Sequence, residues 1–115
     1  MIEEDFFVLL DLLRDMPEVL LHKRSLCQLA AFIDGWCFAH KNKSINQRMT
    51  DFNDWIQVRF GKKYLVYNYP EVIAESYGDE KGFDVFWECY DEFIEDIIEK
   101  QKGVEPNVQK PVLES

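Results

Sequence analysis

Cysteine is scarce in this 115-residue chain, and the three present, Cys27, Cys37 and Cys89, contain no Cys-X-X-Cys pair. An odd number of thiols, each set in an apolar helical pattern, does not make a disulfide framework and points to a reduced, cytoplasmic setting. No apolar run approaches the roughly 20 residues needed to span a bilayer. The opening Met1-Ile2-Glu3-Glu4-Asp5 is acidic where a secretory leader would be basic. A Gly-rich phosphate loop, an HExxH helix and a GxSxG elbow are all missing, as are internal repeats and low-complexity blocks. Basic residues are lacking over one long stretch: residues 64–99 hold eleven acids and a single base. That imbalance excludes direct nucleic-acid binding through this region, which would need a basic footprint.

What is present describes a core. Hydrophobic residues make up 47% of the chain and aromatics 15%, which suits one globular domain of this length. Between Leu26 and Ala39 only Gln28 and Asp34 are frankly polar. A helix apolar all round must be covered on most sides, so residues 25–40 are expected to form a buried central helix. Ser25 and Gln28 read as its capping box. Gly35 in mid-helix should cost about 1 kcal/mol against alanine, and close approach of a neighbouring backbone is the expected reason for it.

Around this helix the pattern predicts others. Ile2 to Asp15 carries an apolar stripe with acids in its first turn and Arg14 in its last, and Met16-Pro17 stops it. Lys41 to Met49 reads as a polar connection, and Thr50 as the cap of a shorter helix ending at Gly61. Tyr64 to Tyr67 reads as extended loop. Asn68-Tyr69-Pro70-Glu71 looks like a helix start, with a stop at Gly78. Asp79 is the expected cap of a last long helix bearing Phe83, Phe86, Trp87, Tyr90, Phe93, Ile94, Ile97 and Ile98 on one side. The expectation is an all-α domain over residues 1–102, about five helices packed on the central one, with a loose tail over 103–115.

Chemistry is hard to find. Cys37 and His40 lie three apart, but a closed zinc site needs four ligands, so Cys89 and His22 would have to join them. A buried thiol and a boundary histidine are the better reading, and a Cys–His nucleophile would lack both an orienting group and an oxyanion hole. No catalytic residue, metal or other cofactor is expected. Asp34, beside Gly35, reads either as an ion pair with Arg59, Arg48 or Lys41 that locks two helices, or as a contact at the mouth of a binding surface. Trp36, Trp55 and Trp87 read as core. The formal charge of −9 conceals a basic middle and an acidic last third. On the last helix, Asp84, Glu88, Asp91, Glu92, Glu95 and Asp96 fill the side opposite the aromatic stripe, with almost no base at pairing distance along the helix. Such a face is either simply solvated or a docking surface for a basic partner. Glu71 and Glu75 form a second acidic patch. Tyr64, Tyr67 and Tyr69, outside any clear stripe, are candidate hot spots.

Three segments carry a family resemblance. Arg24-Ser25-Leu26 with Leu29-Ala30-Ala31-Phe32-Ile33-Asp34-Gly35-Trp36 resembles an "RSL..L.AFLDGY" helix. Phe52-Asn53-Asp54-Trp55-Ile56 with Arg59-Phe60-Gly61 resembles an "F..W...R.G" segment. Asp79 to Glu88 with Tyr90-Asp91-Glu92-Phe93 resembles a "DE..AFD.FFEL.DEF" ending. Together they are similar to the small bacterial immunity proteins of polymorphic-toxin and contact-dependent growth-inhibition systems, over about residues 20–95. The resemblance implies a non-enzymatic protein that binds a cognate toxin domain and covers its active site. The charge layout adds that the toxin surface is basic, as for a nuclease. The alternative is a helical interaction or regulatory module with no toxin partner, possible as a homodimer; neither reading involves nucleic acid or a membrane.

Overall fold

A computed structural model describes residues 2–61 and 68–103, and every secondary-structure element in them is helical. Helix α1 spans Ile2–Asp15, a 3-10 turn follows at Pro17–Val19, and α2 spans Leu26–His40. Helices α3 (Lys43–Arg59) and α4 (Tyr69–Gly103) complete the fold. There are four α-helices among these residues, not five, because the two expected on either side of Gly78 form one run. Gly78 still breaks its regularity, with φ 80° and ψ 179°, a conformation essentially reserved for glycine. The segment from Tyr64 to Tyr67 and the tail from residue 104 lie outside the described residues. No helix among those described is long and apolar enough to cross a membrane.

Helix α1 has the expected bounds and buries Phe6, Leu10 and Leu13. At the start of α2, the Gln28 N–H donates to Ser25 Oγ at 3.1 Å. The box is only half closed, because Gln28 Oε1 accepts from the His22 N–H at 2.8 Å. The second cap comes from far along the chain: Asp79 Oδ1 accepts from the Cys27 N–H at 2.7 Å. Asp79 therefore caps α2 rather than the long helix for which its position in sequence suggested it.

This cap makes stability depend on pH. The Ser25 hydroxyl first, then the Cys27 N–H and Lys23, outweigh burial and hold the Asp79 carboxyl below its ordinary value. A depressed folded pKa stabilises above the unfolded value of about 3.9, and that contribution is lost as pH falls through the folded value. Asp79→Ala should cost about 1 kcal/mol in urea denaturation at neutral pH. The variant should also lose less stability than the parent between pH 5 and pH 3; parallel acid limbs would refute the cap.

Helix α2 packs against α4, with Leu26, Leu29, Ala30 and Ile33 buried. Its cover is one-sided, however. Cys27, Ala31, Asp34, Gly35, Phe38 and Ala39 are exposed, so the expected enclosure on most sides is corrected. Nor does a backbone press on Gly35, since a Cβ there would meet nothing within 4 Å. The close approach is at Gly82 of α4, where a Cβ would lie 2.9 Å from Leu26 Cδ2.

Helix α3 begins seven residues before Thr50, at Lys43. The Asn42 side chain caps it by accepting from the Ile45 N–H at 3.0 Å. The stretch expected to be a polar connection is thus helical, with Ile45 buried and Met49 packed on the core. At the head of α4, Glu71 reaches back to the Asn68 N–H at 3.1 Å, as its spacing predicted. The Tyr69 N–H donates to Asn53 Oδ1 of α3 at 2.6 Å. Phe52, on α3, is the hub between α3 and α4. Its ring centroid lies 5.3–5.4 Å from those of Tyr69, Phe86, Tyr90 and Phe93.

Candidate partner-binding site

The outer face of α4 carries the acids singled out in the sequence, and the fold supplies bases that helical spacing could not reveal. Arg14 of α1 forks onto Asp91 at 2.9 and 2.6 Å and lies over the Trp87 ring, 5.5 Å from its centroid. Arg24 reaches Asp84 at 3.7 Å and Glu18 at 4.0 Å. Arg59 meets Glu92 at 3.3 Å, and the Trp55 indole N–H donates to Asp96 at 2.7 Å. The expectation of a largely unpaired face is corrected to this extent: four of its six acids are held within the chain. Glu88 and Glu95 are exposed and have no ion pair among the described residues, and the same holds for Glu99 one turn on. The three arginine pairs on α4 are themselves solvent-exposed, each partner about 42–66% so. Pairs of that kind contribute roughly 0–1 kcal/mol, so an incoming cation can exchange for them at little cost.

The face extends onto α1. A groove of about 380 Å³ between the two helices is floored by Phe7, Leu10 and Ile94 and edged by Asp11, Asp91 and Glu95, with Arg14 on its wall and Arg48 over the Phe7 ring, 5.1 Å from its centroid. Asp91 most strongly, and then Asp15 and Asp11, raise the affinity of Arg14 for its proton. Sequence reasoning missed both this groove and Arg14's part in it. In the sequence the helix dipole alone accounts for Arg14, and nothing local marks α1 and α4 as neighbours.

The remaining candidates scatter. Tyr69 is buried to 5% exposure against Phe52 and Phe86, so it is a core residue and not a surface hot spot. Tyr64 and Tyr67 lie outside the described residues. Glu71 and Glu75 are both exposed at the start of α4, and Glu71 is partly committed to the Asn68 N–H. Trp87 is buried, whereas Trp36 and Trp55 are only partly covered.

Asp34 makes no ion pair with Arg59, Arg48 or Lys41 among the described residues. It lines a cleft of about 350 Å³ together with Glu71 and Asp79. Burial and then the Glu71 carboxylate hold its proton affinity above the ordinary carboxylate value. His40 is turned away from Cys37: its ring stacks on Trp36, centroids 3.8 Å apart, and its Nδ1 meets the Trp36 carbonyl oxygen at 2.9 Å. Burial pushes the Cys89 thiol up to about 11 and raises Cys37 as well. Neither is a thiolate at neutral pH. Among the described residues no three His, Cys, Asp or Glu side chains gather at metal-binding distance.

No family model matches the chain, and comparison with curated proteins and with solved structures finds no match either.

Proposed function

We propose that the chain is a non-enzymatic immunity protein: it binds a cognate toxin domain with a basic surface, such as a nuclease, and covers that domain's active site. The observation that carries this reading is the surplus of negative charge on α4, where Glu88, Glu95 and Glu99 hold no ion pair among the described residues after three arginines have been drawn in. The resemblance of the Arg24–Trp36, Phe52–Gly61 and Asp79–Phe93 segments to immunity proteins supports it. A field of one sign on an exposed helix speeds encounter with a complementary partner. The groove beside it adds apolar area at which a few side chains could dominate affinity.

The test begins with co-purification from the native operon and an assay of whether the captured partner is basic and inhibited. The triple variant Glu88→Lys, Glu95→Lys and Glu99→Lys should then slow association by roughly tenfold or more at low ionic strength and flatten its salt dependence. Its melting temperature should stay within a few degrees of the parent, because these three residues hold no described ion pair. An unchanged association rate would remove the α4 face from the interface.

A further inference from the structure

The composition of α2 and its cover do not agree. A helix that packs by one face ordinarily shows water a polar one. Here the outward stripe runs Cys27, Ala31, Gly35 and Phe38 over three turns. Phe38 is 80% exposed, more than any other large apolar side chain among the described residues. A single exposed apolar residue needs no explanation, but a continuous stripe of them marks a contact surface. Depressions flank it on both sides. One is the cleft against the start of α4, which includes Ala30, Asp34, Pro70 and Glu71. The other is an open groove floored by Leu20, Leu21 and Phe32. Ala31 stands on the crest between them and belongs to both. At Gly35 the backbone is bare, with open space beyond it, so another main chain can come close.

The stripe carries one charge. Asp34 sits at its centre, Glu71 stands within the same cleft, and no cation answers Asp34 among the described residues. We infer that this face docks an apolar helix of a partner protein whose lysine or arginine enters the cleft between Asp34 and Glu71. A helix laid along a groove is a recurrent mode of recognition, and among the described residues no cation lines this cleft beside its carboxylates. A second copy of the chain is the poorer occupant: a symmetric pairing about Gly35 would set Asp34 near its own counterpart and join two bodies of net charge −9. The raised proton affinity of Asp34 agrees with a carboxylate that lacks its counter-ion. The inference rests on the reading of the chain as a partner-binding protein, but not on the acidic face of α4.

The probe is a set of synthetic amphipathic Ala/Leu helices of about 18 residues. They are identical except for one central position on the apolar face, which is lysine, norleucine or glutamate. Titrated into the isotope-labelled protein, the lysine peptide should shift the amides of Ala31, Gly35, Phe38 and Glu71. It should bind about tenfold more tightly than the norleucine peptide, and the glutamate peptide weakest of all. Asp34→Asn should reduce the lysine peptide to the norleucine level. Phe38→Glu, at an exposed position that leaves the fold intact by circular dichroism, should abolish binding of both. Lysine and glutamate peptides of equal affinity, shifts confined to α4, or no saturable shift would each overturn the inference. So would a solution dimer lost in Phe38→Glu, which would make a second copy the occupant. The triple lysine variant on α4 should still bind the lysine peptide; loss of toxin association there with peptide binding retained separates failure of one surface from failure of the other.

Discussion

Truncating Phe52 to alanine is expected to remove about 3–5 kcal/mol of stability, the range for emptying a fully buried aromatic site. The ring is 0% exposed and its centroid lies within 5.4 Å of four other aromatic rings of α4, Tyr69 before Gly78 and the other three after it. The cavity would have rigid walls, because Tyr69, Phe86, Tyr90 and Phe93 are all held on α4. Domains of this size have only about 5–15 kcal/mol in total, and 1 kcal/mol corresponds to roughly 4–8 °C in melting temperature. Thermal unfolding followed by circular dichroism should therefore fall by at least about 12 °C, or show no cooperative transition. The matched control is Phe38→Ala, the same deletion at an 80% exposed position, with an expected change within about 0.5 kcal/mol. Equal effects at the two sites would mean that Phe52 is not the hub.

The second large effect concerns two helical glycines that sequence alone treats alike. Gly82→Val should cost about 1–3 kcal/mol by overpacking, since even a Cβ there lies 2.9 Å from Leu26 Cδ2 and 3.4 Å from Ile73 Cγ2. A valine adds two more carbons in the same space, and its restricted χ1 leaves few ways out. Gly35→Ala, in open space and with ordinary helical backbone, should instead gain about 0.5–1 kcal/mol through helix propensity. Urea denaturation of both variants checks the pair. A loss of stability at Gly35 would mean that the outward side of α2 is not open.

The reading of Gly35 shows where the sequence stops being informative. A glycine in an apolar helix signals close approach somewhere in the fold, but its neighbours belong to another part of the chain. The start of α3 was missed for a different reason. Lys43 to Met49 is so polar that the stripe of Ile45, Met49, Phe52 and Ile56 was read only from Phe52 onward. Asn42 was the available signal, three residues before Ile45. What is encoded within a few residues was legible: the extent of α1, Ser25 as a cap, Glu71 reaching back to Asn68, and the all-α class itself. The candidate site was half legible. The acids of α4 could be placed on one face by counting, but the arginines that hold three of them are 77, 60 and 33 residues away in the chain. An i, i+4 search sees none of these. Asp34 had two readings, and among the described residues the ion pair with Arg59, Arg48 or Lys41 is not formed.

The order of the helices has a consequence for synthesis. Both α2 and α3 find their main partner in α4, the last described helix to be translated. While a ribosome has released only the first three, Leu29, Ile33, Phe52 and Ile56 have no Phe83, Phe86 or Phe93 to meet, and Cys27 lacks the carboxylate of Asp79. The nascent chain therefore leaves these apolar surfaces without their main cover until α4 emerges.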